Sequence, residues 1–579
     1  MKKLVLLLVI SSFVRCTDPT IINTKEYLTI FETSDGKQSA PYFKGIAWWK
    51  ELDQDFAELH ITEFGMTDAG YPLHIVTLCQ NGLTLDKIKG SNKSIILINN
   101  AIHPGEPDGV DASMLLFRDI LKTKKELLDS CILVCIPYYN IGGAINRNSH
   151  SRANQNGPEE YGFRGNAQNL DLNRDFVKCD SKNAESFAQL LQYIDPDFYI
   201  ETHVSNGADY QYTITYLSTQ PTKLGYAMGT YLADEIIPSL EAKMKDKKQE
   251  MVPYVNVHGD ALDSSYTTFY DSPKYSSGLT TLNNIYGFIT ETHMLKPFDK
   301  RVQATYQYLE SSIEFCNENT AAIKNSRGEQ KRLISGTSNY AIDWNLDSAK
   351  SNVFAFNGYE YGYKPSEVTG EQRLYYDRSK PKTWKMYFYY AMKPTVIREK
   401  PKAYFLRKGF TDVEDRLTWN GVILESLKND TTIEIISYRI SNYETGQSAY
   451  EKHYGHYNTT YIRDTIKWQF RKGDFRINLG TDKDRFVVEM LEPDAPDSYF
   501  NWNFFDAILQ QKEWYSGYVF EDVAAQLLRT NPNLKAEFED KKKNDEGFAN
   551  NPRSQLTWVY HHSENYEKEH MRLPVFRLE

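Results

Sequence analysis

Four polar side chains of this sequence follow apolar runs, and their types are those that bind metals and transfer protons. The first two, His103 and Glu106, lie in the polar segment 99–109, directly after the apolar run 94–98. A neutral imidazole nitrogen and a carboxylate oxygen are both good ligands for Zn²⁺. The proline and the glycine between them hold a tight loop in which both side chains can face one point. Because such a pair also occurs in ordinary polar turns, the pair alone does not define a metal site.

The other two side chains stand at the ends of later apolar runs. His203 follows the run 198–202, and Glu291 follows the run 287–290. A catalytic zinc site needs three protein ligands, an open position for water and a carboxylate that accepts a proton from that water. A histidine in such a position can also be a buried core residue. Random placement, however, seldom puts four such residues at three strand ends, which favours a metal-dependent hydrolytic site.

The elements that must position these residues alternate between strands and helices from about residue 25 to residue 325. Hydrophobic periodicity predicts strands at 94–98, 131–137, 198–202 and 287–292, and helices at 110–128, 183–193, 224–245 and 301–324. Such alternation predicts an α/β fold with a largely parallel sheet and helices on both faces. Ligands of open parallel sheets bind outside the carboxyl ends of the strands. The candidate residues stand at those ends.

The set as a whole resembles the metal and base pattern of the metallocarboxypeptidase family (carboxypeptidase A-like, M14). The segment 169–176, Asn-Leu-Asp-Leu-Asn-Arg-Asp-Phe, strengthens the resemblance. In it, Asp-Leu-Asn-Arg before an aromatic residue is similar to that family's motif for binding a substrate carboxylate. The order along the chain also matches, and the resemblance covers roughly residues 25–325. It implies a carboxypeptidase-like fold and a zinc-dependent enzyme that hydrolyses peptide bonds near the C-terminus of peptides.

The resemblance also implies a role for each candidate residue near the metal. One Zn²⁺ per chain would be held by His103, Glu106 and His203. Glu291 would be the general base that takes a proton from water and later gives it to the departing amine. Glu201 and His293 stand two residues from His203 and Glu291 on the same strands, so each would point to the same side as its neighbour. Both are predicted to orient the metal ligands, with a core role as the alternative.

For the substrate, the resemblance implies that Asn173 and Arg174 grip the C-terminal carboxylate of a peptide. Arginine suits this role because its planar fork can bind a carboxylate through two hydrogen bonds. Arg152 matches by position the arginine that polarises the scissile carbonyl, and Arg147 and Arg164 compete for that role. Tyr275 corresponds to the family's mobile tyrosine, which caps the bound substrate.

Two other functions stay open at this stage. The first is an envelope amidase or endopeptidase that acts on peptidoglycan stem peptides, since an arginine that grips a carboxylate suits either substrate. The second is a non-catalytic peptide-binding protein on the same scaffold, although the intact set of four residues argues against it. A formal net charge of −10 argues against a nucleic-acid partner, because phosphate binding needs a concentrated basic surface. The expected partner is a peptide or protein substrate.

The first residues resemble a targeting segment. Lys2 and Lys3 precede a short apolar run, 4–14, which predicts a signal peptide over residues 1–16 and a secreted or cell-envelope protein. Cys16 raises the alternative of a lipid anchor in the periplasm or at the cell surface, which would be the only membrane contact. The residues just before Cys16 are larger than such a cleavage site prefers. The other cysteines are odd in number and form neither a disulfide framework nor a cysteine zinc site.

The rest of the chain differs in character from the first half. We predict a zinc peptidase domain over 20–330, a polar linker near 325–338, and a β-rich accessory region over 338–579. The accessory region is predicted from short, aromatic, alternating runs. A segment near 499–528 is more helical and aromatic.

Overall fold

The computed structural model describes residues 25–579. The predicted signal peptide and the lipid-anchor alternative at Cys16 fall outside these residues. Within residues 25–579, no helix combines the length and apolar composition that a membrane span requires.

A mixed eight-stranded sheet forms the centre of the first half of the chain. The strands of this half are β1 (Leu59–Met66), β2 (Pro72–Leu78), β3 (Ser94–Asn99), β4 (Cys131–Ile136), β5 (Phe198–Ser205), β6 (Ile214–Ser218), β7 (Val252–Pro253), β8 (Ser265–Thr267) and β9 (Tyr286–His293). All except β8 join the sheet, in the order β1-β2-β4-β3-β5-β9-β6-β7. The four central strands, β4, β3, β5 and β9, are parallel, and antiparallel strands flank them. The predicted fold class is confirmed.

Helices cover both faces of this sheet. They are α1 (Ile30–Thr33), α2 (Tyr42–Asp55), α3 (Asp108–Thr123), α4 (Ile141–Ile145), α5 (Lys182–Ile194), α6 (Pro221–Leu224), α7 (Tyr226–Tyr231), α8 (Ile237–Asp246), α9 (Ser276–Leu282) and α10 (Phe298–Gly336). Alternate residues of β3 enter different cores: Ile96 packs with residues of α2, α3 and α10, and Leu97 with residues of α5 and α9. Coverage on both faces explains why β3, β4 and β5 are buried along their whole length.

The predicted linker at 325–338 is wrong, because α10 continues through it to Gly336. Ile323, Arg327, Gln330 and Ile334 are buried at helical spacing on one side of this segment. The two polar members of the stripe are paired: Arg327 contacts Asp195 and Asp197, and Gln330 donates to the Leu224 carbonyl. The polar residues of this segment therefore belong to a helix whose buried polar side chains are paired, and not to a linker. The domain boundary proposed near 330–338 stays a prediction, and a single helix spans it.

The second half of the chain is rich in strands. They are β10 (Asn339–Leu346), β11 (Asn352–Pro365), β12 (Gln372–Tyr389), β13 (Met392–Glu399), β14 (Ala403–Leu406), β15 (Glu425–Ser426), β16 (Thr431–Thr445), β17 (His456–Phe470), β18 (Phe475–Asn478) and β19 (Arg572–Leu578). Six of them form a sheet in the order β15-β18-β14-β19-β16-β17. β10 pairs with β13, and the long hairpin β11–β12 pairs with β8 of the first half.

The helices of this half are α11 (Thr411–Trp419), α12 (Asp484–Leu491), α13 (Gly517–Thr530), α14 (Pro532–Asn544), α15 (Glu546–Ala549) and α16 (Pro552–His561). The helical segment predicted near 499–528 therefore begins later, at Gly517, and extends to His561. Tyr404 and Phe486 belong to the same apolar core as Leu97 of the eight-stranded sheet. The two halves of the chain thus share one core on that face of the sheet.

Candidate metal centre and substrate cleft

Three predicted metal-binding side chains meet at the carboxyl ends of β3 and β5. These strands are parallel neighbours, with Asn99 opposite Glu201, so the loop after β3 lies beside the end of β5. That loop carries His103 and Glu106, and β5 carries His203. One ligand atom from each of the three side chains lies within 4.8 Å of the others, and all three side chains are buried. The topology thus brings together donors that are about a hundred residues apart in the sequence.

The hydrogen bonds around the two histidines prepare them for a cation. His103 Nε2 lies 2.9 Å from an oxygen of Asp171, and His203 Nε2 lies 2.6 Å from an oxygen of Glu201. Because an ionised carboxylate only accepts hydrogen bonds, each Nε2 carries a proton, which leaves each Nδ1 as the nitrogen that can bind a metal. The two Nδ1 atoms are 3.1 Å apart, and Glu106 Oε2 lies 3.0 Å from His203 Nδ1. Three electron-rich atoms so close together fit a positive charge between them, and the donor set fits zinc.

The pKa values around these groups indicate the same preference for positive charge. Burial disfavours a charged imidazole at His203, but hydrogen bonds to Glu106 and Glu201 outweigh it and raise the pKa to about 10. Burial also disfavours the Glu106 carboxylate, yet the charges of Arg152 and His103 lower its pKa well below its usual range. A surrounding that stabilises a proton on a buried imidazole also stabilises a divalent cation at that point.

Glu291 lies beside the metal-binding side chains and lines the same cleft. β9 pairs with β5 so that Glu291 stands opposite His203. Within residues 25–579, its carboxylate makes no hydrogen bond, whereas its backbone carbonyl accepts one from Thr215. Burial raises the pKa of Glu291 to about 8, against the opposing charge of His203. The cleft has a volume of about 410 Å³, and Glu291 is one of the residues that line it.

The three candidate arginines have different positions and partners in the structure. Arg152 lines the cleft, donates from Nη1 to Glu106 at 2.7 Å and is steadied by Gln155 at Nε. Arg164 also lines the cleft but pairs with Asp171. Arg147 instead donates to backbone carbonyls at Ser39 and Glu160. Arg152 therefore lies nearest to the metal-binding side chains, and Arg147 serves the loop structure.

Asn173, Arg174 and Tyr275 line the cleft together. The Arg174 guanidinium lies over the Tyr275 ring, 4.7 Å from its centroid, and donates from Nη1 to the Asn173 carbonyl at 2.7 Å. The Asn173 side-chain oxygen is buried without a hydrogen-bond partner within the described residues. The Arg174 guanidinium is a suitable donor for a carboxylate, whereas the unpartnered Asn173 side-chain oxygen can only accept a hydrogen bond, from a donor group of a ligand.

Two residues, Glu201 and His293, test the remaining expectations. Glu201 does orient His203, as predicted. His293 does not reach the cleft, because its ring bonds to the Ala208 carbonyl and the Leu295 N–H and packs against Tyr210. Its role as a partner of the metal ligands is wrong, and the alternative of a core residue is right.

Asp171 orients His103, and sequence reasoning did not assign it a role. Burial raises the pKa of this carboxyl, but hydrogen bonding and charge from His103 and the nearby arginines lower it below its usual range. The sequence contained a signal for this role, since Asp171 lies in the Asp-Leu-Asn-Arg segment, two residues before Asn173.

One wall of the cleft is apolar. It is formed by Leu217, Tyr254, Phe269 and Ile289, which come from β6, β9 and the loops around β7 and β8. The first three of these also line a neighbouring cavity of about 790 Å³. The wall therefore separates the cleft from a larger space, and no motif in the sequence indicated its residues.

Comparison with known proteins gives one family match and several weak structural likenesses. The zinc carboxypeptidase family, Peptidase M14, matches residues 45–364, more than half of the 579 residues. A search of curated proteins gave no match. Among solved structures, the chain is similar to a metallo-carboxypeptidase from Burkholderia cenocepacia, with 15% identity over 47% of this chain and 68% of that one and a TM-score of 0.37. It is also similar to the carboxypeptidase A from Helicoverpa armigera, with 13% identity over 49% and 74% of the two chains and a TM-score of 0.36.

The structural likeness is weak, so the assignment rests on the family match, which spans His103, Glu106, His203 and Glu291. This chain belongs to the M14 family of zinc carboxypeptidases and is a zinc metallopeptidase.

Proposed function

We propose that this protein is a carboxypeptidase, which removes residues from the free C-terminus of peptides. The observation that carries the proposal is the position of Arg174, held in the same cleft as the metal-binding side chains and Glu291. A fixed guanidinium on one side of the reacting centre selects substrates that end in a carboxylate. Internal cleavage would place an uncharged peptide group there. We also propose that the protein acts outside the cytoplasm, because residues 1–16 have the pattern of a signal peptide.

His103, Glu106 and His203 would hold the zinc, with Asp171 and Glu201 fixing the two imidazoles. When bound, zinc supplies Lewis acidity, which lowers the pKa of a neighbouring water molecule to about 7 in well-studied sites.

In its ionised form, the Glu291 carboxylate, which makes no hydrogen bond within residues 25–579, accepts the proton from water as the water attacks the carbonyl carbon. The same oxygen then gives that proton to the departing amine. Arg152 places its positive charge where the carbonyl oxygen becomes negative.

The apolar wall of the cleft indicates the kind of terminal residue. Leu217, Phe269 and Ile289 offer carbon atoms to a side chain, and burial of such a side chain contributes roughly 1.5–3 kcal/mol. The described residues that form this part of the cleft, Leu217, Phe269 and Ile289, are all uncharged. A bulky apolar or aromatic C-terminal residue therefore suits the cleft best.

We expect a mixed peptide library to show this preference directly. Incubation with the zinc-loaded enzyme should release single residues from free C-termini, apolar and aromatic ones first, as followed by mass spectrometry over time. Peptides that lack one residue, then two, should accumulate in sequence. Fragments produced by internal cleavage, or release from muropeptides alone, would replace the carboxypeptidase assignment by an endopeptidase or a murein amidase.

Arg174→Ala should separate recognition of the terminus from catalysis. We expect KM for peptides with a free C-terminus to rise by roughly ten- to a hundredfold, because a charge-assisted hydrogen bond contributes about 1.5–3 kcal/mol. The slow hydrolysis of the same peptides as C-terminal amides should change little. Arg174→Lys, which keeps the charge but loses the planar fork, should fall between the two. Equal losses for free and amidated peptides would contradict this role.

A further inference from the structure

The tip of the hairpin β16–β17, residues 446–455, reaches the substrate side of the cleft from the second half of the chain. Tyr450 accepts a hydrogen bond at its hydroxyl from Arg174 Nε, at 3.1 Å. The next residue, Glu451, accepts one from the Asp171 backbone N–H, at 2.8 Å. The tip therefore contacts both ends of the Asp-Leu-Asn-Arg segment, from positions more than 270 residues further along the chain.

The tip has a defined conformation. Tyr450 and His453 exchange two backbone hydrogen bonds, of 2.8 and 3.0 Å, across a two-residue turn. Its central residues, Glu451 and Lys452, have φ values of 47° and 75°, in the region that turns of this kind normally fill with glycine or asparagine. Such a backbone persists where surrounding contacts hold it, and it concentrates at functional sites.

Contacts with the body of the protein provide that support. The Tyr450 ring stacks on Trp502 at an interplanar angle of 18° and a centroid distance of 6.3 Å. His453 Nε2 lies 2.7 Å from a carboxylate oxygen of Asp180, and its ring packs edge-on against Trp502. Burial raises the pKa of Asp180, but the hydrogen bond from His453 and the charge of Lys178 lower it below its usual value. The tip is thus held at Tyr450 and at His453.

The Tyr450 hydroxyl completes the set of contacts that fix the Arg174 guanidinium. Nη1 donates to the Asn173 carbonyl, and the group lies over the Tyr275 ring, 4.7 Å from its centroid. With Nε bound to Tyr450, the guanidinium is held at two of its three nitrogen atoms and over one ring. Within the described residues Nη2 has no hydrogen-bond partner, so it stays available to a ligand. A donor oriented before binding loses less conformational freedom when the ligand arrives.

We propose that Tyr450 is a positioning residue for Arg174, so that the second half of the chain supplies part of the site that recognises the C-terminal carboxylate. The inference rests on the proposed carboxypeptidase function. It gives the β-rich region a role beyond packing: the hairpin tip sets the direction of the residue that selects free C-termini. Without the hydroxyl, the guanidinium keeps its charge but samples more orientations.

Tyr450→Phe tests the proposal in the full-length enzyme, because it removes the hydroxyl and keeps the ring that stacks on Trp502. We expect KM for free C-terminal peptides to rise roughly three- to tenfold, in the range of one lost hydrogen bond. The kcat for those peptides and the kcat/KM for amidated ones should stay within about twofold of the wild type. Tyr450→Ala, which also removes the stacked ring, should raise KM further.

Tyr454→Phe is the matched control, since Tyr454 is an exposed tyrosine of the same tip. Its side chain makes no hydrogen bond within the described residues. It should leave all parameters unchanged. The proposal is overturned if Tyr450→Phe behaves like Tyr454→Phe, or if it lowers kcat for free and amidated peptides alike, which would indicate a general structural role.

Arg174→Ala distinguishes failure of this inference from failure of the proposed function. If wild type prefers free C-termini and Arg174→Ala abolishes that preference while Tyr450→Phe has no effect, only the positioning role is overturned. If wild type shows no such preference, the carboxypeptidase assignment and the role of Tyr450 are both overturned.

Discussion

Replacing Glu291 with glutamine should lower kcat by about a hundred- to ten-thousandfold, the usual contribution of a general base. The amide has the shape of the carboxylate but cannot take a proton from water. Zinc content should stay at one per chain, because His103, Glu106 and His203 are unchanged. The KM for peptides should also change little, since Glu291 acts on the water and on the transition state. Steady-state kinetics together with metal analysis of the purified variant measures all three quantities.

Glu201→Gln is the control for this experiment. Glu201 is a buried carboxylate that accepts hydrogen bonds from His203 and Tyr199, so it is engaged in orienting a metal ligand. Its amide analogue can still accept the bond from His203, and loss of an outer partner typically costs ten- to a hundredfold in metal affinity or activity. A larger loss of kcat for Glu201→Gln than for Glu291→Gln, with zinc retained in both, would move the role of base to Glu201.

Much of the fold could be predicted because its local signals are strong. The central strands are apolar along their whole length, and β-branched residues dominate runs such as β3. Parallel strands place their carboxyl ends on one edge of the sheet, so residues at the ends of β3 and β5 had to be neighbours. The metal-binding set follows from that geometry, and the family resemblance added the roles of the individual residues.

Other features depend on partners that are remote in sequence. The continuation of α10 is polar. Its buried Arg327 pairs with two aspartates that follow α5, and this pairing supports the helix. The apolar wall of the cleft combines residues from four separate segments. The contact between Tyr450 and Arg174 joins positions 276 residues apart. Hydrophobic periodicity describes one element at a time and carries no information about such pairings.

Glu201 and His293 show how far strand alternation can be used. Each lies two residues from a site residue on the same strand, so alternation predicts the same side for both. Glu201 lies in the middle of the sheet, where the neighbouring β3 ends in the metal-binding loop. His293 lies at the end of β9, next to β6, where Tyr210 and the Ala208 carbonyl occupy the space beside it. Whether such a residue reaches the site depends on the strand that lies beside it. The sequence pattern does not show which strand that is.

Replacement of His203 and of His293 provides the sharpest test of the metal site. His203→Ala should abolish stoichiometric zinc after dialysis, because only two of the three ligands remain. Turnover should fall by more than the ten- to hundredfold that loss of an outer partner costs. His293→Ala removes a buried imidazole of the same size from the adjacent strand. Burial lowers the pKa of His293 to about 4, so this change removes no positive charge near neutral pH.

We therefore expect His293→Ala to lose stability while it keeps one zinc per chain and kcat within a few-fold of the wild type. Thermal unfolding measures the loss of stability, and metal analysis by mass spectrometry measures the zinc. The comparison separates a ligand from a core residue, because a merely destabilising change would lower both the unfolding temperature and the yield without altering zinc per folded chain. Zinc retained by His203→Ala but lost by His293→Ala would assign the third ligand to His293 and require β9 to turn its end towards the cleft. The converse result places the metal between the loop after β3 and the end of β5, with Glu291 of β9 free to move the proton.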